Sequence, residues 1–171
     1  MFFGILFLFC AQLLQLVFTV LKILPLMEKF IKAIQLRWSD LDPNFHLRHS
    51  VYYDWGVFCR IEFLNEFGLT TEVMQRLHFG PILFREECVF KKEIRQGDKI
   101  TIDLKLLKSK RNYSRWSIQH IIMKNADIVS AILTVDGAWI NTIERRLAQP
   151  PPEAEKVFSQ MPVDEDFQWL D

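Results

Sequence analysis

Only three cysteines occur in 171 residues, and Cys10, Cys59 and Cys88 stand far apart without a Cys-x-x-Cys pair. That scarcity disfavours a disulfide-stapled secreted module and predicts free, buried thiols. Neither sign of charge is in excess, since 21 Lys and Arg balance 21 Asp and Glu. No large positive field therefore points to nucleic acid as a partner. The chain holds no Gly-x-Ser-x-Gly elbow, so a serine-hydrolase route has no support. It also holds no His-Glu-x-x-His, the commonest helical zinc signature. Without an established secretory route, the sequon Asn112-Tyr113-Ser114 is read as chance.

Aromatic residues, by contrast, are plentiful: fifteen Phe and five Trp supply ample apolar area for one core. The length suits a single domain and leaves little room for a second. Residues 1–27 stand apart as an apolar leader, uncharged until Lys22. A run of that length can cross a bilayer as a helix, which needs about 20 residues. It lacks the basic start and small-residue cleavage site of a signal peptide. Lys22, Lys29, Lys32 and Arg37 follow it, and would place the remainder in the cytoplasm if the leader is an anchor. Equally, Met27 could be the working start, which makes the protein cytoplasmic. Membrane association is expected only through residues 1–27, and a chain beginning at Met27 is expected to fold.

Periodicity then orders the rest. Lys32 to Trp38 is read as a first strand, ended by a polar cluster and Pro43. From Ser50 the spacing predicts a long helix closed by Gly68. Val51, Trp55 and Phe58 on one stripe, with Tyr52, Cys59 and Phe63 on the next, predict a helix covered on most sides. Gly56 inside it is read as a point of close approach by a sheet. A short helix from Thr70 to Leu77 should end before Gly80-Pro81. Beyond Pro81 the period becomes two, giving four long strands in hairpin-like succession. Ile100, Ile102, Leu104 and Leu106 share a face, as do Trp116, Ile118, His120 and Ile122. The fold class is therefore α+β, a curved antiparallel sheet wrapped around one long central helix. Exposed strand edges predict edge-to-edge assembly. The domain is bounded at 28–149, with residues 150–171 a proline-initiated acidic tail of unassigned role.

Within this plan the stretch SDLDPNFHLRH, residues 39–49, gathers Asp40, Asp42, His46 and His49. Three readings stay open on the residues alone. A metal site would use all four, although Pro43 and Phe45 make the spacing irregular. A polar turn would have Asp42 accept backbone donors beside the proline, with the histidines against the next helix. A catalytic site would set a carboxylate opposite the free first-turn amides of that helix, where a carbonyl oxygen gains charge.

The stretch LRWSDLDPNFHLRHSVYYDWGVFCRIEFL resembles the opening of the hot-dog-fold thioesterases, in the group of 4-hydroxybenzoyl-CoA and related acyl-CoA thioesterases. The shared elements are Asp40 and Asp42, His46, the polar pair Arg48-His49, Tyr52, and Arg60 eight residues on. Gly97-Asp98 and Gly137-Ala138-Trp139 extend the likeness over residues 34–147. The resemblance implies the hot-dog fold and an acyl-CoA thioesterase acting on a fatty or aromatic acyl group. It implies Asp42 as nucleophile or general base and His46 as orienting group. Amides around His49, Ser50 and Val51 would polarise the carbonyl, and Tyr52 would either bond across the site or pack. Lys108, Lys110 and Arg111 would meet the phosphates of coenzyme A. Acyl-CoA would bind between subunits of a homodimer or homotetramer. No metal and no separate cofactor is implied, coenzyme A being part of the substrate. Two departures stand out: Arg48-His49 replaces two asparagines common in relatives, and Phe58 replaces a helix carboxylate. The alternative is a non-catalytic hot-dog module that binds an acyl group or a protein.

Overall fold

The computed structural model describes residues 29–171, so the leader and Cys10 lie outside the described residues. Strand β1 (Phe30–Ile34) is followed by a 3-10 turn at Trp38–Asp40. Next come helix α1 (His49–Glu66), short helix α2 (Thr71–Arg76) and strand β2 (Phe79–Phe90). Strands β3 (Ile100–Lys110), β4 (Arg115–Lys124) and β5 (Ile128–Asn141) form the centre of one sheet. The chain ends with β6 (Arg146–Leu147), helix α3 (Pro152–Phe158) and β7 (Val163–Leu170). The sheet order is β1-β3-β4-β5-β2, with β6 on β5 and β7 on β3. The sheet curves around the helices, as the alternating patterns imply.

Helix α1 begins where Pro43 no longer constrains the chain and stops at a glycine. Gly68 takes φ +92°, its amide donates to Asn65 O, and the Leu69 amide donates to Leu64 O. This paired closure satisfies the last carbonyls and tucks Leu69 into the core. Val51, Tyr52, Trp55, Gly56, Cys59, Arg60, Phe63 and Leu64 make the buried stripe. Opposite them Val57 and Phe58 are exposed, so α1 is not covered on most sides in the single chain. Of the six apolar residues named for that surface, five are buried and Phe58 alone faces outward.

Gly56 is the close approach expected: a Cβ there would sit 2.2 Å from Leu133 Cδ2 of β5. The predicted faces of β3 and β4 hold throughout, with Ile100, Ile102, Leu104, Leu106, Trp116, Ile118, His120 and Ile122 all buried. Among the described residues, no helix is long and apolar enough to cross a membrane.

Three boundaries differ from expectation. The first strand lies earlier, at Phe30–Ile34, and Trp38 belongs to the 3-10 turn. Gly80-Pro81 lies inside β2, where Pro81 pairs with Trp139. An edge strand tolerates proline because its missing N–H costs a ladder bond only on the paired side. Residues 150–171 are integral to the sheet rather than an appended tail. Helix α3 buries Ala154, Val157 and Phe158, and Met161 follows them inside. β7 then runs parallel to β3 along Leu106–Lys110, continuing the row that β1 occupies along Ile100–Leu104.

Candidate active site

The approach to α1 is fixed by Asp40, which is 1% exposed. Its carboxylate accepts the Arg37 amide and the Arg37 guanidinium at 3.0 and 3.2 Å. Burial opposes ionisation of Asp40, but the hydrogen bonds and charge of Arg37 outweigh it and hold the carboxyl below the usual range. Asp40 O also accepts the Arg48 amide at 2.9 Å, which pins the residue that opens the helix. Asp40 is thus an anchor for the loop and is not free to ligate or catalyse.

Asp42 occupies the turn that follows. Its Oδ1 accepts the Asn44 amide at 2.8 Å and the His46 amide at 3.0 Å. The backbone adds Asp42 N to His46 O and Phe45 N to Asp42 O. Such local bonding beside proline is what a short acidic side chain does in a turn. Both side-chain bonds fall on Oδ1, and Oδ2 accepts none among the described residues. The polar-turn reading thus accounts for Oδ1 and leaves Oδ2 without a partner.

A gap of about 340 Å³ opens beside it, bounded by Asp42, His46, His49, Tyr52, Lys91 and Lys92. The His46–Arg95 bridge and the Leu47 amide on Ile94 O hold the loop against the segment after β2. Arg48, the residue before the helix, supplies no side-chain cap. Val51 is buried, and its amide already donates to Arg48 O at 3.0 Å. Of the three amides expected to polarise a carbonyl, His49 and Ser50 remain as open first-turn donors. Tyr52 is buried, and burial pushes its phenol up to about 12, so it stays protonated at neutral pH. Its ring packs edge-on to Phe90 at 5.0 Å. Packing and a neutral hydroxyl at the gap thus coexist.

Other expected members lie elsewhere. Lys108, Lys110 and Arg111 belong to the far end of β3 and its turn. The gap is level with Phe90, which registers through Ala131 and Ile122 to Ile102. From Ile102 to Ser109 is seven residues of strand, roughly 23 Å. The basic run and Asp42 are therefore separated within one chain, and Arg111 instead lies 5.6 Å over the Trp169 ring. Lys91 and Lys92 are the cations that border the gap. They follow the end of β2 at Phe90, where the charged run Lys91-Lys92-Glu93 breaks the alternating pattern. Phe58, which replaces the helix carboxylate, is 42% exposed and does not border the gap. Among the described residues, no three His, Cys, Asp or Glu side chains converge as metal ligands.

The sequence profile of the thioesterase-like superfamily matches residues 36–158. Solved structures of the same shape include a hypothetical protein from Aquifex aeolicus, with a TM-score of 0.69 and 22% identity over 75% of this chain and 98% of that one. A hypothetical protein from Staphylococcus aureus in complex with CoA aligns with a TM-score of 0.69 and 18% identity, covering 80% and 87%. A 1,4-dihydroxy-2-naphthoyl-CoA thioesterase from Synechocystis aligns with a TM-score of 0.68 and 15% identity, covering 77% and 96%. Comparison with curated proteins gives no match.

Proposed function

Since this chain belongs to the thioesterase-like superfamily, we propose that it hydrolyses a fatty or aromatic acyl-CoA thioester to the free acid and coenzyme A. The observation that carries this reading is Asp42, which borders the same gap as His49 of the first turn of α1 and whose Oδ2 has no partner among the described residues. Superfamily membership and a relative crystallised with CoA support the choice of thioester.

In the proposed reaction Asp42 removes a proton from water while the water oxygen bonds to the thioester carbon. The carbonyl oxygen becomes an oxyanion and accepts hydrogen bonds from the His49 and Ser50 amides, aided by the positive end of α1. His46, at the mouth of the turn, orients the water or the thioester. When the intermediate collapses, the carbon–sulfur bond breaks and the sulfur takes the proton held on Asp42. Direct attack by Asp42 on the carbon, through an anhydride that water then cleaves, uses the same geometry. Tyr52 remains a neutral hydroxyl throughout. Lys91 and Lys92 meet the phosphates of coenzyme A on this chain, and Lys108, Lys110 and Arg111 would reach the same ligand only from a second copy.

Assembly as a homodimer, or a pair of dimers, is part of this proposal. Among the described residues β2 leaves one edge unpaired, and its own Phe84, Val89 and Phe90 are exposed. An apolar sheet edge of that length is a pairing site. Free thiols at Cys59 and Cys88 suit a reducing, cytoplasmic compartment.

The test is Asp42→Asn assayed beside wild type on short, long and aromatic acyl-CoAs. Loss of a positioned base or nucleophile lowers kcat by about 10²–10⁴-fold. Undiminished turnover by a folded variant would remove Asp42 as the catalytic group and leave it only the turn it closes through Oδ1, whereas no turnover by wild type on any of these substrates would favour the non-catalytic acyl-binding or protein-interaction module.

A further inference from the structure

Among the described residues two carboxylates border the gap, Asp42 and Glu93, and the reaction proposed above gives Glu93 no task. The segment that carries Glu93 is anchored along its length. The amides of Lys91 and Lys92 both donate to Ser130 O, at 2.8 and 3.1 Å. Ile94 is fully buried, and its carbonyl accepts the Leu47 amide at 2.9 Å. The Arg95 amide donates to Asp98 Oδ2 at 2.9 Å, and the Asp98 amide returns a bond to Arg95 O at 3.1 Å. From β4 the Lys124 ammonium donates to Glu93 O.

Register places Glu93 and His46 on one face of this ribbon. His46 bridges Arg95 in the antiparallel sense, so those two side chains stand on the same side. Residues two apart along an extended segment share a face, and here Ile94 is sealed inside while Glu93 and Arg95 are exposed. The approach of Arg95 Nη2 to Glu93 Oε1, at 3.5 Å, agrees with that assignment. Glu93 is therefore the diagonal neighbour of His46, at a backbone spacing of about 7–8 Å that a long side chain spans. Both residues open on the gap. Its own amide and the charges of Arg95, Lys124 and His46 hold the Glu93 carboxyl below the usual carboxylate range. The ion pair with Arg95 is exposed on both sides and longer than a good hydrogen bond, so it holds Glu93 only weakly.

The amide of His46 is held by Asp42 Oδ1, but its imidazole has no partner among the described residues. A neutral imidazole has one donor and one acceptor nitrogen, and the bond made by one decides the role of the other. We infer that Glu93 is the positioning residue of His46, its carboxylate accepting one ring N–H and leaving the other ring nitrogen as an acceptor directed into the gap. The attacking water then gives its proton to Asp42 and its second hydrogen bond to His46. That consequence rests on the thioesterase reading, whereas the pairing itself is measured without substrate.

The experiment uses the full-length protein. Long-range proton–nitrogen NMR of the histidine rings at pH 8, with His46 assigned through His46→Gln, reports the tautomer. Wild type is expected to show one tautomer. Glu93→Gln should show both, because a glutamine can turn either its oxygen or its amide to the ring. Glu93→Asp should restore part of the bias, and Arg95→Gln, which removes the ion-pair partner, should leave the ring signals unchanged. In turnover, Glu93→Gln should lower kcat about tenfold with KM little changed, the low end for loss of a histidine's orienting partner. An unaltered tautomer in Glu93→Gln, or the same change in Arg95→Gln, would overturn the pairing. An altered tautomer with undiminished kcat would overturn the positioning role. If wild type hydrolyses none of the acyl-CoAs, the hydrolase reading fails and the NMR measurement still decides the pairing.

Discussion

His120 is sealed from solvent with both ring nitrogens engaged, one by Arg60 and one by the Asp103 carbonyl. Burial, with the Arg60 charge beside it, lowers its pKa from 6.5 to about 3. The folded protein thus holds this ring neutral while the unfolded chain protonates it below about pH 6.5. Between those limits the unfolded state binds the extra proton, so stability falls as pH falls, by up to about 1.4 kcal/mol per pH unit. The depressed carboxylates Asp40, Asp98 and Asp164 act at lower pH, near and below their ordinary range of about 4. Urea midpoints at pH 7, 6 and 5 should decline in wild type. His120→Gln should start lower at pH 7 yet decline more gently; an unchanged slope would remove His120 as the source. Its burial was legible in the alternation with Trp116 and Ile118. The fate of Asp40 was not, because the cluster gave no sign that Arg37 would turn back across a 3-10 turn to claim it.

Two glycines set how closely the elements pack. Gly56 replaces a Cβ that would stand 2.2 Å from Leu133, itself fully buried, and 3.2 Å from Arg60 Nη1. An exposed helix glycine changed to alanine gains up to about 1 kcal/mol from propensity. Here overpacking, at about 1–3 kcal/mol, exceeds that gain. Gly56→Ala should therefore lower the urea midpoint, and an increase would show that α1 can move away from β5. Gly137 is the stricter case: its Cβ would meet three atoms of the Trp116 ring at 2.2–2.7 Å. An indole cannot swing aside as a leucine methyl can. Gly137→Ala should destabilise more than Gly56→Ala and alter the near-ultraviolet dichroism of the tryptophans. The role of Gly56 could be conjectured from its place in a helix pattern. Pro81 was misleading because a proline marks a break locally, whereas its tolerance within β2 depends on that strand lying at the sheet edge, a tertiary fact.

At the scale of the molecule, the C-terminal segment decides whether the sheet is closed. A proline triplet followed by acidic residues resembles a tail, and β7 reads VDEDFQWL, with only Asp164, Phe167 and Leu170 half-buried. Nothing in that pattern announces a strand, and its parallel pairing with β3 comes through a seven-residue helix rather than the hairpins that revealed β3 to β5. Yet Val157, Phe158 and Met161 are each at least 96% buried, and Phe158 packs within 5.0 Å of Trp139 and 5.7 Å of Trp116. Burying three such side chains contributes roughly 5–9 kcal/mol, the size of a small domain's whole stability. The ion pair from Lys105 to Asp164 and the β7 ladder add to the same closure. Shortening the chain after Gln149 should therefore cost more than any single substitution above. Removal of 150–171 should yield protein that aggregates or loses cooperative unfolding, while Phe158→Ala alone should fold with a midpoint lowered by about 3–5 kcal/mol equivalent. Cooperative unfolding of the truncated chain at the wild-type midpoint would show that residues 150–171 only rest on a domain already complete.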